Sequence, residues 1–201
     1  VKTSKWVLCL IAISVCVAGA ATDSIPAKNG PILITPVLHS SLQIEHAGKV
    51  IQVDPWTLGN PALTKAADLI LVSACCDLHH IDPNAIQKLR KPGAPVIIPD
   101  VAGARERVPD GLVLANGRTT TAAGIQIESV PSYDAYITLA PFHPKGEGNG
   151  YLLTLGDKRL FLAGVTECVP EIQRLKQIDI AFLPVNLPVG RMTPEKAADC
   201  A

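Results

Sequence analysis

Leu69, Ile70, Leu71 and Val72 form an unbroken apolar run too short for a buried helix. Such a run reads as a central strand covered on both faces. A polar loop follows. Residues 83–91 then place Ala85, Ile86 and Leu89 at helical spacing, with Asp82 as N-cap and Pro83 as first residue. Pro92 and Gly93 end that segment, and residues 95–98 read as another buried strand. Strand, loop, helix and strand make a β-α-β unit, which fixes a sheet with helices packed on it.

The flanking segments extend the same plan. Residues 32–36, 41–46 and 50–53 read as strands, with 41–54 a hairpin turning at Ala47 and Gly48. Leu42 and Ile44 alternate with Gln43 and Glu45, the period of a half-buried strand. Pro55 ends the hairpin, and Asp54 beside it is expected to be partly exposed and to cap the turn. Residues 22–31 are a polar lead-in and 62–67 a short link. Residues 100–110 hold a short helix, and 112–114, 119–121 and 125–130 are three short strands. A long loop at 132–150 precedes a second hairpin, 151–155 with 159–162. A helical turn at 170–176, a strand at 178–183 and a helix opened by Thr193, Pro194 and Glu195 complete the chain. That last helix is expected to have nothing after it to pack against. The fold class is therefore α/β in the α+β layered sense.

Residues 1–20 read as a secretory signal peptide: Lys2 and Lys5, an apolar stretch from Trp6 to Val17, then Ala18, Gly19 and Ala20 as a small-residue cleavage site. The apolar stretch is shorter than the roughly 20 residues a membrane span needs. The expected organisation is signal peptide 1–20, lead-in 21–31 and one domain over 32–201, exported to the periplasm or outside the cell, with no stable membrane span after cleavage. Formal net charge is zero, with 18 basic and 18 acidic residues, so nucleic acid is not an expected partner. Cys75, Cys76, Cys168 and Cys200 remain beyond the leader, and an exported chain can pair such cysteines. Cys75 and Cys76 are adjacent, and pairing between them is not expected.

The densest chemistry runs from Ser73 to Asp82, between the buried strand and the helix. Ligands of open α/β sheets sit at that end of a strand. Cysteine, histidine and aspartate are all zinc-ligand types, and Cys76, Asp77, His79 and His80 cluster here. Two adjacent histidines on an extended chain rarely share one ion. His143, among prolines and glycines, is a further candidate, set against an ordinary surface role. Glu167 and Cys168 could reach a metal from the segment after 159–163. His39, Ser40 and Ser41 give only weak grounds for a hydrolytic triad. P-loop, GxGxxG, HExxH and zinc-finger spacings are absent from the sequence.

Taken together, SLQIEHAGKVIQVDPW (41–56), ADLILVS (67–73), HHIDPNAIQKLRKPGAPVI (79–97), HPKGEGNGYLLTLGDKRLFLAGVTECVPEI (143–172) and IDIAFLPVNLPVGRMTPEKAA (178–198) resemble the metallo-β-lactamase superfamily. More closely they resemble its stand-alone metal-dependent hydrolases related to the L-ascorbate-6-phosphate lactonase group. The resemblance implies an αββα sandwich, with an incomplete second half expected. It implies a His-x-His-x-Asp-His motif, a later histidine, the aspartate of a Gly-Asp-Thr turn and a last histidine, together holding one or two metals. Counted from the strand, the motif falls on Ala74, Cys76, Leu78 and His79. Counted back from Asp82, it falls on Cys75, Asp77, His79 and His80. The later histidine matches His143, the aspartate falls on Val165, and the last histidine would lie beyond Ala201. The implied ligands are thus Cys76, Asp77, His79, His80 and His143, for one zinc ion at most, with manganese as the alternative. The implied activity is hydrolysis of a small ester, lactone or phosphoester. The alternative is an inactive exported homologue that keeps the fold to bind a ligand or partner.

Overall fold

A computed structural model describes residues 21–75, 77–135, 143–185 and 192–200. Two sheets stack face to face. The first runs β1 (Asp23–Ile25), β2 (Ile32–Leu38), β3 (Ser41–His46), β4 (Lys49–Val53), β5 (Leu69–Leu71), β6 (Val96–Ile98) and β7 (Leu112–Val113), each hydrogen-bonded to the next. Its first four strands pair antiparallel, and β4 to β7 pair parallel. The change to parallel pairing comes where the β-α-β unit begins, because parallel neighbours need a crossover. The second sheet has the order β12 (Ile180–Phe182), β11 (Lys158–Leu162), β10 (Gly148–Leu155), β9 (Ile125–Ser132) and β8 (Thr119–Ala122).

Strand alternation sorts the apolar residues into three layers. Ile44, Ile51, Leu69 and Leu71 meet Ile127, Tyr151, Leu153 and Leu160 between the sheets. Ile70, Val72, Val96 and Ile98 point the other way, toward α1 (Pro83–Leu89) and α2 (Ala102–Arg107). Leu152, Phe161 and Ala163 cover the far side of the second sheet with Val169 and Ile172. Here Ile172 belongs to α3 (Pro170–Gln173). The unbroken run at 69–72 is apolar at every position because both of its faces are covered. The molecule is an αββα sandwich, as the resemblance implies.

Several local expectations change. The lead-in at 22–31 contributes an edge strand, β1. The long loop shrinks at both ends, because β9 runs on to Ser132 and β10 starts at Gly148; residues 136–142 lie outside the described set. Gln43 and Gln52 are not half-exposed but buried, at 2% and 1% relative exposure. They tolerate burial because the Gln52 amide donates to Gln43 at 2.8 Å and the Lys65 N–H donates to the same Gln43 oxygen at 2.6 Å. Residues near the 3-10 turn Pro61–Leu63 thus close that part of the first sheet.

The helix α4 (Pro194–Cys200) is anchored by residues that precede it. Cys200 forms a disulfide with Cys168, with 5.7 Å between the α-carbons. Cys200 also packs against the layer that holds Val169 and Ile172, and Ala197 is buried. Cys168 is therefore a bridge half, and a thiolate metal ligand at that position is ruled out.

Candidate functional site

Three loops leave one edge of the first sheet and are tied to each other there. Residue 54 follows β4 in the left-handed region, with φ of 43°. That turn drives the Asp54 side chain inward, leaving it 1% exposed. Its Oδ1 accepts the Ser73 N–H at 2.7 Å; its Oδ2 accepts the Ser73 hydroxyl and stands 2.8 Å from His80 Nδ1. Asp54 is thus a buried organiser of the loop after β5, not the exposed turn cap its neighbour Pro55 suggested. Its carbonyl also accepts the Ser41 hydroxyl. Ser40 donates to the His79 carbonyl at 2.7 Å. Both serines hold loops together, so the stretch from His39 to Ser41 is not a hydrolytic triad.

Asp82 closes the arrangement. As the N-cap of α1, one of its oxygens accepts the Asn84 and Ala85 N–H groups. The other accepts the N–H and hydroxyl of Thr57 at 3.0 and 2.8 Å. Burial alone would raise its pKa, but the hydrogen bonds from Thr57, Ala85 and Asn84 together hold it below the ordinary aspartate value.

Three imidazoles gather above this base. The His79 ring lies 4.6 Å from His39 and 4.3 Å from His80, centre to centre, and His39 to His80 is 6.1 Å. Trp56 borders the group, 6.0 Å from His79 and 6.4 Å from His39. Burial, with the adjacent His80 and His39 imidazoles, pushes the His79 pKa below the ordinary histidine value, although Asp77 and Asp54 act against it. His80 is buried, His79 half-buried and His39 exposed. The Asp54 carboxylate engages His80 through its Nδ1.

His143 lines a cavity of about 10 Å³, room for one water-sized group, with Ala74, Cys75, Ser132, Glu147, Gly148 and Val165. Its N–H donates to Asp134 at 3.1 Å, and its Nδ1 lies 3.5 Å from the other Asp134 oxygen. The loops close here over glycine: a side chain at Gly164, where φ is 69°, would meet Asn149 O at 2.8 Å. Neither His79 nor His80 lines this cavity. Asp77 is exposed and uses its carbonyl to accept the His80 and Ile81 N–H groups at 3.0 Å each. Cys76, and with it the expectation that it does not pair with Cys75, lies outside the described residues; Cys75 is disulfide-bonded. Glu167 is buried and donates its N–H to Tyr133 O.

A family model described as a beta-lactamase superfamily domain matches residues 33–201. The chain belongs to the beta-lactamase superfamily. Within it, a UPF0173 metal-dependent hydrolase of Nitratidesulfovibrio vulgaris is 31% identical over 176 residues, covering 80% of this chain and 70% of that protein. One from Ligilactobacillus salivarius is 28% identical over 171 residues, 81% of this chain and 76% of the other. A solved structure from Parabacteroides distasonis, described as a metal-dependent hydrolase, is 37% identical. It superposes with a TM-score of 0.81 over 90% of this chain and 82% of its own. A metallo hydrolase of Ignicoccus hospitalis shares the fold at a TM-score of 0.62 and 20% identity, covering 83% of this chain and 75% of its own.

Membership raises the question of the metals. The cavity beside His143 brings together Val165, on which the resemblance places the aspartate, and Ala74, on which the motif falls when counted from the strand, and both offer hydrocarbon only. Cys75 in the same wall is taken up in a disulfide. Among the described residues, no group of three His, Cys, Asp or Glu side chains is placed to hold an ion. The residues present do not fit a two-metal centre at this cavity. Sequence reading weighed His39 only for a hydrolytic triad; its place directly after β2 is the signal that could have joined it to His79, against whose ring it lies.

Proposed function

We propose that this chain keeps the scaffold of the metal-dependent hydrolases without their two-metal centre, and is silent in two-metal hydrolysis. The observation that carries this reading is the His143 cavity, walled by Ala74 and Val165. Two-metal catalysis holds its ions about 3.5–4 Å apart with shared oxygen donors, and neither wall has one to give. In this reading the chain is an exported homologue whose cleft binds a ligand or a partner. A second reading is a hydrolase of a small ester, lactone or phosphoester. It is supported by the names of the relatives and by the intact Asp54–His80 pair, the kind of carboxylate support that orients a ligating histidine.

Assays of lactone and phosphodiester hydrolysis with excess zinc or manganese divide the two. No turnover above the metal-only background is expected. Val165→Asp alone is not expected to raise it, since Ala74 still faces the same cavity. Robust metal-dependent turnover by the unaltered chain would overturn the first reading.

Export belongs to the same proposal. It is supported by the leader pattern in residues 1–20 and by the Cys168–Cys200 disulfide, a bond that persists in oxidising compartments. The intact mass of the exported protein should correspond to a chain beginning at Ala21. A mass that still includes Trp6 would contradict cleavage at Ala20.

A further inference from the structure

We propose that the mouth of the cleft, from Leu38 through Trp56 and Leu58 to Leu78, is a surface that lies on a lipid bilayer. Among the described residues, the large apolar side chains that stand exposed are Leu38, Leu58, Leu78, Leu112 and Val185. Single exposed apolar residues are ordinary on a protein surface. Leu38, Leu58 and Leu78 are not single. They are 41%, 69% and 55% exposed, and the three segments that carry them meet at one edge of the first sheet. Leu38 adjoins His39 and Leu78 adjoins His79, whose rings lie 4.6 Å apart. Trp56, 6.0 Å from His79, and Leu58 come from the segment after β4. That segment crosses to β2, since a side chain at Gly59 would come within 2.9 Å of Val37 Cγ1. The rim is thus one patch, the kind of feature that marks an interaction surface.

Two observations choose the bilayer. The first is the chemistry and shape of the rim. Residues 36–42 and 55–64 contain no Asp, Glu, Lys or Arg, and Asp77 is the charged neighbour of Leu78. An uncharged apolar rim with a tryptophan suits the headgroup boundary, where an amphipathic indole sits well. Its leucines protrude: the His143 cavity and the groove of about 500 Å³ between α1 and the segment after α2 include none of them. A small ligand needs a concave site, whereas protruding side chains meet an extended apolar phase. The second observation is the path of the chain. Asp23 pairs with Ile34, and the Thr22 and Thr35 hydroxyls stand 2.9 Å apart. Traced backward, the chain therefore runs along β2 toward Leu38. Under the export reading, the apolar stretch ending at Val17 sits in the bilayer until the leader is cut. The four residues from there to Ala21 span at most about 14 Å. The uncut chain is then held with this rim against the membrane. That orientation rests on the export reading, and the bilayer becomes the partner of the cleft; the rim's composition stands without it.

The test uses the chain from Ala21, which carries every strand and helix described. Trp6 and Trp56 are the two tryptophans of the sequence, so Trp56 alone then reports on the rim. The protein is titrated with phosphatidylcholine vesicles, and separately with vesicles brominated along the acyl chains. Trp56 emission is expected to shift to the blue with the first and to be quenched with the second. Added salt is expected to leave the partition coefficient unchanged, because no charge holds the rim. Leu58→Ser and Leu78→Ser are each expected to weaken partition by about tenfold, near the low end for burying a leucine. Leu112→Ser, comparably exposed at the opposite edge of the first sheet, is expected to change nothing. All three variants lose an exposed side chain and keep the fold, read by circular dichroism. No shift with vesicles, binding confined to phosphatidylglycerol vesicles at low salt, or undiminished binding by the Leu58 and Leu78 variants would each overturn the proposal. So would a dimer without lipid that Leu58→Ser disperses, since the rim would then belong to a second copy. The export reading is tested by the mass of the exported protein, so neither result decides the other.

Discussion

Replacing Asp54 with alanine is expected to destabilise the protein by about 3–5 kcal/mol, because each buried donor left without an acceptor costs about 1–3 kcal/mol. The side chain is 1% exposed and receives three polar hydrogens, from the Ser73 N–H, the Ser73 hydroxyl and the His80 ring. Alanine leaves all three without an acceptor in a region closed to water. It also places an ordinary residue at a φ of 43°, which aspartate and asparagine tolerate better. For a chain of this size the loss corresponds to a fall in Tm of about 6–20 °C. Asp54→Asn keeps an acceptor and the backbone tolerance, and is expected to lose less than half as much. Thermal melts followed by circular dichroism measure both. A change below about 1 kcal/mol in the alanine variant would mean that Asp54 does not organise the loops around it.

Cys200→Ser is expected to lower stability by about 3–4 kcal/mol, from the closure entropy of a loop of this length in the unfolded chain. The bridge spans a sequence separation of 32 residues. It also fastens α4 to the segment before α3, and Cys200 itself fills part of the layer over Val169 and Ile172. The substitution isolates this bridge from the disulfide at Cys75, which a reducing agent would open as well. Equal melting temperatures for the serine variant and the unaltered oxidised chain would rule out a stabilising bridge.

These two sites mark where the sequence stops being readable. Asp82 and Pro83 announce the start of α1 because capping is local: the side chain bonds N–H groups two and three residues on. The runs at 69–72 and 95–98 announce buried strands because burial on both faces leaves no polar position. Asp54 is different. Its partner His80 is 26 residues away, and beside Pro55 a surface cap explains the residue equally well. The Cys168–Cys200 bond is likewise invisible until β11 and α4 have been brought together. Gln43 and Glu45 carried the alternation of a half-exposed strand, yet the chain near Lys65 folds over them. Val165 was legible as a missing ligand from resemblance alone, and the cavity adds that Ala74 stands with it. His39 could not be joined to His79 and His80 from spacing, since the loops that carry them meet only through tertiary bonds.

The absence of a two-metal centre is tested most directly by counting bound zinc on the intact chain by native mass spectrometry, with turnover of a lactone followed in the same preparation. The chain is expected to hold no more than one zinc, with no turnover. Two zinc ions per chain, with turnover that disappears in His143→Ala, would contradict the account.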